Sequence, residues 1–343
     1  MTLTGADVRV IGVGGGGGNA LRRLSEASSL GATFVAVNTD ARALEEHPAH
    51  HRLVLGHRTT RGLGAGGRPS VGLAAAREST PELLEVIEGA DMIFVAAGLG
   101  GGTGTGAAPL VAHLARRAGA LVVGVVTVPF GFEGGRRQRL ADQGLDALEE
   151  QVDSLLVIEN DRLLDLGGAD PSVVEAFGRA DTVLCDGVRG ISDLVTESGL
   201  INLDFADVRA VLSDGGRAVM GVGAGHGPER AMQAVQNACA SPLLDDDSIE
   251  GAGGVLLAFR ADPRIGINAI HRAAARIQAE VDDDAEILFG VTLDESLNDE
   301  VRVTLVAAGL SSVEPAEEVV EPRRRNALVM LEQTVPSRVR RLV

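Results

Sequence analysis

The chain has 343 residues, 45% of them hydrophobic, and is therefore long enough for two domains with separate cores. It contains no tryptophan, tyrosine or lysine, so all 31 basic residues are arginine, and its formal net charge is −17. This composition excludes Walker-type P-loop hydrolases and Schiff-base enzymes, which need lysine, and it argues against general nucleic-acid binding.

The first 160 residues alternate short apolar segments with helical patterns. Strands are predicted near 8–13, 33–38, 92–97, 121–128 and 154–158, and helices near 19–29, 70–88, 106–118 and 134–151. Such alternation predicts a parallel sheet covered on both faces, which binds ligands at the carboxyl ends of its strands.

Two glycine-rich runs follow predicted strands at that end of the sheet. The first spans 14–18 and precedes Asn19 and a helix from Ala20, and the second spans 100–106 and precedes a helix from Ala107. Because glycine has no Cβ, consecutive backbone N–H groups can turn towards phosphate oxygens, and a helix N-terminus adds partial positive charge. Two such runs indicate a mononucleotide with a long phosphate tail. Without lysine, its charge must be neutralised by backbone N–H groups, arginine and a divalent cation.

A different function class stays open on the first run alone. Gly12, Gly14 and Gly17 satisfy the dinucleotide pattern G-x-G-x-x-G, which would indicate a nicotinamide-dependent oxidoreductase. The second glycine run and the lack of an acid–base pair for hydride transfer argue against it. Asp40 follows the second strand, but within the polar triplet Asn38-Thr39-Asp40, which suits phosphate or metal chemistry better than a ribose contact.

A long helix and a second α/β unit are predicted in the remainder. An apolar stripe from Val173 to Val195 predicts six helical turns, begun by Pro171-Ser172 and ended by Gly199. Strands near 216–223, 253–260, 286–293 and 301–308 then alternate with helices near 228–239 and 266–280. Residues 311–322 form an acidic linker, and 323–343 form a basic tail with six arginines and one glutamate.

Several motifs, in order along the chain, resemble the tubulin/FtsZ family over about 8–309. They are Ile11-Gly12-Val13 through Asn19, Asn38-Thr39-Asp40, Gly62-Leu63-Gly64-Ala65-Gly66, Gly100-Gly101-Gly102-Thr103-Gly104-Thr105-Gly106, Pro129-Phe130-Gly131-Phe132-Glu133-Gly134, Glu159-Asn160-Asp161-Arg162 and the segment 199–209. The resemblance implies a Rossmann-like parallel-sheet GTPase domain (1–170), a central helix (171–199) and a smaller α/β C-terminal domain (200–310). It also implies a GTPase that polymerises head-to-tail into the mid-cell division ring. A cytoplasmic location is expected from the two cysteines and from the lack of a signal-like or membrane-spanning segment.

The resemblance also implies which residues bind GTP and GDP. The phosphate-loop positions are Gly15, Gly16, Gly17, Gly18, Asn19, Gly102, Thr103 and Gly104, and the γ-phosphate-sensing positions are Ala65 and Gly66. Glu133 and Arg137 match the ribose and phosphate positions, and Asn160, Phe177 and Asp181 match the guanine pocket. Phe177 and Asp181 are four residues apart and so share one helical face. Without the resemblance, core packing for Phe177 and a solvated charge for Asp181 are the favoured interpretations.

Asn202, Asp204 and Asp207 match the family loop that reaches the nucleotide of a neighbouring subunit. The resemblance implies that they position or polarise the attacking water, so that the active site is complete only between two protomers. Carboxylates near a triphosphate imply Mg²⁺, with Asp40 in its outer shell and no assigned protein ligand. From spacing alone, Asp204 and Asp207 could equally cap a helix. A filament protein that binds GTP but hydrolyses little is a third interpretation, which the three intact residues disfavour.

Other features carry weaker expectations. Glu159 replaces the usual family proline, which puts the base pocket in question, and the tail segment 335–341 only loosely resembles a partner-binding peptide. A division-protein or membrane-tether partner and a solvated basic end both stay open for the tail. The spacing of His47, His50, His51 and His57 could hold zinc, but surface positions are favoured. Cys185 and Cys239 are expected to be packed thiols, and no apolar segment is long enough to span a membrane.

Overall fold

The computed structural model describes residues 6–26, 31–164, 171–196, 199–201, 203–213, 216–241, 244, 249, 251–281 and 285–310. The strands are β1 Val8–Val13, β2 Thr33–Asn38, β3 His51–Val54, β4 Met92–Gly98, β5 Leu121–Val128, β6 Ser154–Glu159, β7 Arg217–His226, β8 Gly254–Ala261, β9 Glu286–Leu293 and β10 Glu300–Leu310. The helices are α1 Gly14–Glu26, α2 Arg42–Glu45, α3 Pro69–Glu78, α4 Thr80–Ile87, α5 Thr103–Arg117, α6 Gly135–Glu149, α7 Val173–Thr196, α8 Phe205–Ser213, α9 Arg230–Cys239 and α10 Ile267–Gln278. Short 3-10 helices span Gly131–Glu133 and Asn160–Leu163.

The strands form one sheet in the order β3-β2-β1-β4-β5-β6-β7-β10-β8-β9. Strands β1 to β6 pair in parallel, and β10 runs antiparallel between β7 and β8. Within the described residues, β6 pairs with β7 over a short length, through Leu155 with Arg217 and Leu156 with Ala218. The predicted parallel α/β fold with a smaller C-terminal α/β part is confirmed, and its two parts share a continuous sheet.

Strand β4 lies at the centre of the parallel half and is buried on both faces. Phe94 and its same-face neighbours pack in a cluster with residues of α1 and α7, whereas Val95 packs with α4 and α5 on the other face. A strand covered by helices on both faces has a continuous apolar sequence. Residues 92–97 could therefore be predicted as a strand although apolar and polar residues do not alternate there. The C-terminal part has its own core cluster around Phe259.

Helix α7 departs from the predicted stripe at its first turn. Leu184 and Val188 are buried as expected, but Val173 is 65% exposed and Phe177 is 38% exposed. The helix begins with a capping box, in which Ser172 and Glu175 exchange backbone-to-side-chain hydrogen bonds of 2.8 and 3.3 Å. Val173 and Phe177 therefore lie outside the core although Ala176 between them is buried, so the predicted apolar stripe is not packed along its whole length.

Other boundaries also differ from prediction. Both glycine-linked helices begin earlier, at Gly14 and Thr103, so parts of the glycine runs are themselves helical. The predicted helix at 70–88 is two helices separated at Ser79, because Pro81 suits the first turn of a new helix better than the interior of a long one. The short elements α2 and β3 were not predicted, and α8 was raised only as a helix that Asp204 and Asp207 could cap. No helix among the described residues is long and apolar enough to cross a membrane.

Candidate functional site

Two helix N-termini meet at the carboxyl ends of β1 and β4. Gly14 has φ +73°, and a Cβ at this position would lie 2.9 Å from the backbone N of Gly104. A Cβ on Gly104 would lie 2.4 Å from the Gly98 carbonyl oxygen. Because real Cβ atoms do not approach backbone so closely, glycine at these positions lets α1 and α5 begin side by side.

The same runs contain glycines that face open space. A Cβ on Gly15 or on Gly101 would meet no described atom within 4 Å, and Gly15 is exposed. The first four N–H groups of an α-helix have no partner within the helix, and together they attract anions. The paired starts of α1 and α5, here called the glycine cradle (14–18 and 100–104), therefore combine dense backbone packing with an open, donor-rich side.

The end of β2 joins this cradle. The hydroxyls of Thr39 and Thr103 lie 2.6 Å apart, and the Thr39 carbonyl accepts a hydrogen bond of 3.0 Å from the Gly64 N–H. Asn38 Oδ1 accepts from the Asp40 N–H at 3.2 Å, and Asp40 Oδ1 accepts from the Arg42 N–H at 3.0 Å. The structure thus brings the predicted polar triplet beside the second glycine run.

The segment 62–68 covers the cradle at Gly102. A Cβ on Gly102 would lie 2.8 Å from the buried Ala65 Cβ and 2.9 Å from the backbone N of Arg68. Gly66 and Gly67 adopt φ values of +60° and +65°, so two consecutive left-handed residues turn the chain here. Predicted Ala65 and Gly66 therefore lie next to predicted Gly102.

Glu78 holds residues 58–59, which come just before this covering segment. Its carboxylate accepts from the Arg58 N–H at 2.8 Å, from the Thr59 N–H at 3.0 Å and from the Thr59 hydroxyl at 2.7 Å. The hydrogen bonds from the Arg58 N–H and the Thr59 hydroxyl lower the pKa of Glu78 to about 2. Glu78 could not be predicted from the sequence, because a glutamate near a helix end forms no motif.

His47 was expected at the surface with the other histidines, but it is buried and contacts the first glycine run. The side chain is buried, its Nδ1 accepts from the Ala49 N–H at 3.2 Å, and its Nε2 lies 2.8 Å from the Gly18 carbonyl oxygen. Because Nδ1 accepts, the neutral ring carries its proton on Nε2 and donates it to Gly18. His50 Nδ1 accepts from the Phe34 N–H at 2.9 Å. The rings of His47 and His50 thus form hydrogen bonds with backbone groups. The described residues contain no group of three side chains that could hold a metal ion.

Glu133 and Arg137 pair with each other. Glu133 Oε1 accepts from the Phe130 N–H at 2.9 Å, and Arg137 Nη1 donates to Glu133 Oε2. The Glu133 side chain is only 9% exposed, whereas that of Arg137 is 55% exposed. The guanidinium therefore has a charge partner within the protein.

Three phenylalanines adjoin these residues at the start of α7. The ring of buried Phe130 stacks on Phe132 with centroids 5.0 Å apart, and Phe177 meets Phe130 edge-on at 5.1 Å. Phe132 is 64% exposed although large apolar rings are normally covered. An exposed aromatic wall beside a donor-rich cradle suits a planar heteroaromatic ring.

Two polar groups of the predicted base pocket have distinctive surroundings. Asn160 is buried, and its Oδ1 has no hydrogen-bond partner among the described residues. Burial raises the pKa of the Asp181 carboxyl, and Arg23, whose Nε lies 3.4 Å from Asp181 Oδ2, opposes that rise. Glu159, the residue at the usual proline position, is exposed and pairs with Arg162 at 2.8 Å.

Asp204 and Asp207 lie far from the cradle within one chain. Both are exposed at the start of α8, where Asp207 Oδ2 accepts from the Asp204 N–H at 3.3 Å. Arg209 donates to the carbonyl of Asp91, which precedes β4, whereas the cradle follows the other end of that strand about 20 Å away. Helix α7 also separates the two regions, because it extends about 28 Å from Phe177 to its last residue, Thr196, which precedes Asp204 in the chain. Asn202 lies outside the described residues.

The two cysteines lie among the described residues, whereas the linker and the tail do not. Burial raises the pKa of the Cys185 and Cys239 thiols to about 12, and Cys185 Sγ donates to the Ala20 carbonyl at 3.2 Å, as suits packed thiols. The linker at 311–322 and the tail at 323–343 lie outside the described residues.

Comparison with known proteins places this arrangement in a family. The family described as "Tubulin/FtsZ family, GTPase domain" matches residues 7–168, and "FtsZ family, C-terminal domain" matches 216–311. The empty FtsZ dimer of M. jannaschii is 43% identical, with a TM-score of 0.86 over 90% of this chain and 89% of that one. A tryptophan-to-tyrosine mutant of the same FtsZ is 42% identical, with a TM-score of 0.85 over 89% and 92%. The GTPγS-bound protofilament of CetZ2 from Haloferax volcanii shares the fold at 24% identity, with a TM-score of 0.75 over 90% and 94%.

Proposed function

Because the chain belongs to the tubulin/FtsZ family, we propose that it hydrolyses GTP while assembled head-to-tail in the filaments of the cytoplasmic division ring at mid-cell. Its first half has the family's GTPase fold. The observation that carries the proposal is the glycine cradle, in which two helix starts pack together and leave Gly15 and Gly101 facing open space.

In this proposal the cradle binds the phosphates of GTP or GDP. The backbone N–H groups of Gly15 to Asn19 and Gly102 to Gly104 donate to phosphate oxygens, with the Thr103 hydroxyl beside them. Ala65 and Gly66 contact the terminal phosphate, and Glu133 and Arg137 face the ribose and the phosphates. These main-chain donors bind phosphate in a chain that has no lysine.

Asn160, Phe177 and Asp181 recognise guanine in the same proposal. The Phe177 ring lies against the base, the unpartnered Asn160 Oδ1 accepts a hydrogen bond, and Asp181 accepts from the ring N1–H and the 2-amino group. Adenine has neither donor, so ATP would leave the carboxylate unpaired with the base.

Hydrolysis requires a second protomer in this mechanism. Asp204 and Asp207 at one end of a chain, with Asn202, would orient a water molecule against the γ-phosphorus of the nucleotide held by the next chain. The water oxygen bonds to phosphorus, the bond to the β–γ bridging oxygen breaks, and GDP and inorganic phosphate result. The separation of Asp207 from the cradle within one chain supports this division of labour.

Magnesium suits the oxygen-rich edge beside the cradle. Asp40 uses Oδ1 on the Arg42 N–H, and its other carboxylate oxygen has no hydrogen-bond partner among the described residues, so Asp40 can hold a metal-bound water. When bound mainly through phosphate oxygens and water, the ion would offset negative charge on the phosphates.

The function is tested by nucleotide-dependent assembly. We expect GTP, and not ATP, to produce sedimentable polymers and phosphate release. Asp181→Asn should weaken GTP binding and improve binding of XTP, whose base carries a carbonyl where guanine has the amino group. Equal assembly with ATP, or tight nicotinamide binding without guanine-nucleotide binding, would contradict the proposal.

The tail at 323–343 has two open roles in this proposal, docking to a division protein or membrane tether and remaining a solvated basic end. Deleting it should leave GTP-dependent assembly intact in both cases. Loss of ring localisation in cells expressing the deletion would favour docking, and unchanged localisation would favour the solvated end.

A further inference from the structure

Arg68 occupies a position that local helix chemistry does not explain. It is the N-cap of α3, where Ser, Thr, Asp or Asn normally accepts a hydrogen bond from the first turn. A guanidinium has no acceptor, and the side chain makes no capping hydrogen bond. A residue that breaks a local rule without local compensation is a candidate for function.

The backbone places this arginine at the covered end of the glycine cradle. Its N donates to the Ala65 carbonyl at 3.2 Å and lies 2.9 Å from where a Gly102 Cβ would be. The left-handed residues Gly66 and Gly67 fold the chain so that Arg68 Nε lies 3.9 Å from a Cβ built on Gly66. The side chain therefore borders the segment proposed to contact the terminal phosphate.

The charge of Arg68 is uncompensated. Its side chain is exposed, and it forms no ion pair or hydrogen bond with any residue that the structure describes. Arg137 is in contrast already paired with Glu133. A free guanidinium beside an anion-binding cradle is suited to bidentate pairing with phosphate.

We propose that Arg68 binds the terminal phosphate of GTP, as the cationic ligand that lysine provides in P-loop proteins. This inference depends on the proposed function, because it assigns a residue to that same nucleotide site. GDP lacks the phosphate that Arg68 contacts, so Arg68 discriminates GTP from GDP. Phosphate release then frees the guanidinium.

Arg68→Gln, Arg68→Lys and Arg61→Gln test this assignment. Arg61 is a matched control because it is exposed and directly precedes the same segment at Gly62, which adjoins Ala41 instead of Gly102. Affinities for GDP and GTPγS are measured on monomers, below the assembly threshold. Arg68→Gln should weaken GTPγS binding by about tenfold or more, the size of one charge-assisted hydrogen bond, and change GDP binding by less than about twofold. Arg68→Lys should recover part of the loss, and Arg61→Gln should match the wild type.

Three results would overturn the inference while leaving the function intact. They are equal losses for GDP and GTPγS, unchanged binding of both, and a defect confined to assembly, which would place Arg68 against a neighbouring protomer. A wild-type protein that binds no guanine nucleotide would instead refute the proposed function, and the inference with it.

Discussion

Adding a methyl group to two glycines of the first run should separate ligand binding from folding. Gly15 and Gly17 both lie in the first turn of α1, but a Cβ on Gly15 meets nothing within 4 Å, whereas a Cβ on Gly17 would lie 2.1 Å from the Ala96 carbonyl oxygen. We expect Gly15→Ala to impair nucleotide binding in a folded protein. Gly17→Ala should impair folding itself.

The magnitudes follow from these surroundings. Alanine is favoured over glycine in a helix by roughly 0.5–1 kcal/mol, so the free energy of unfolding of Gly15→Ala should stay the same or rise by up to that amount. A displaced phosphate that loses one charged hydrogen bond costs about 1.5–3 kcal/mol, or about ten- to a hundredfold in the dissociation constant. Gly17→Ala forces backbone atoms apart and should lower stability by about 1–3 kcal/mol or more.

Urea unfolding followed by circular dichroism measures the first quantity, since the chain has no tryptophan or tyrosine for intrinsic fluorescence. Binding of a fluorescent GDP analogue measures the second. If Gly15→Ala bound nucleotide like the wild type, the open side of the cradle would not be the phosphate site. If Gly17→Ala were as stable as the wild type, the account of backbone packing would be wrong.

Three further substitutions test other contacts. Asp207→Asn keeps a side-chain oxygen that can accept from the Asp204 N–H, so nucleotide binding and stability should change little. The GTP turnover rate, measured by phosphate release, should fall at least about tenfold. An unchanged turnover rate would remove Asp207 from the mechanism. Because the pKa of Glu78 is about 2 in the folded state and near 4.5 in the unfolded state, its ionised carboxylate stabilises the fold above pH 4.5, and this effect is lost as the pH falls towards 2. The wild type should therefore resist urea better than Glu78→Gln at pH 6, and this difference in the free energy of unfolding should be smaller at pH 3. A difference that stays constant between the two pH values would contradict the role of Glu78. His47→Leu removes the hydrogen-bond donor to the Gly18 carbonyl and should weaken GDP binding. His47→Gln should keep part of the GDP affinity, and His50→Leu should leave that affinity unchanged. Equal losses of GDP affinity in the two leucine variants would mean that His47 only fills space.

The parts of the fold that the sequence predicted best have redundant local signals. Strand β4 is a continuous apolar run followed by glycines, and only a buried parallel strand ending at a turn suits both features. Strand β3 has no such signal, because His51 and Arg52 are exposed at the sheet edge. The helix break at Ser79 depends on whether Pro81 kinks one helix or begins another, a choice that tertiary packing makes.

The candidate site was predictable where it consists of backbone and harder to predict where it consists of side chains. Glycine runs indicate main-chain donors directly. The exposure of Phe177 could not be inferred, because its spacing continues the apolar stripe of α7. The contacts of His47 and Glu78 join segments distant in sequence, and a single such residue leaves no periodic pattern.

The central claim is that one chain holds the nucleotide and another supplies the carboxylates that complete its hydrolysis. Phosphate release per molecule, measured against protein concentration with light scattering alongside, tests it most directly. We expect almost no turnover below a threshold concentration and a rise in specific activity above it, together with scattering. A specific activity that is already maximal in dilute, unassembled protein would contradict the claim.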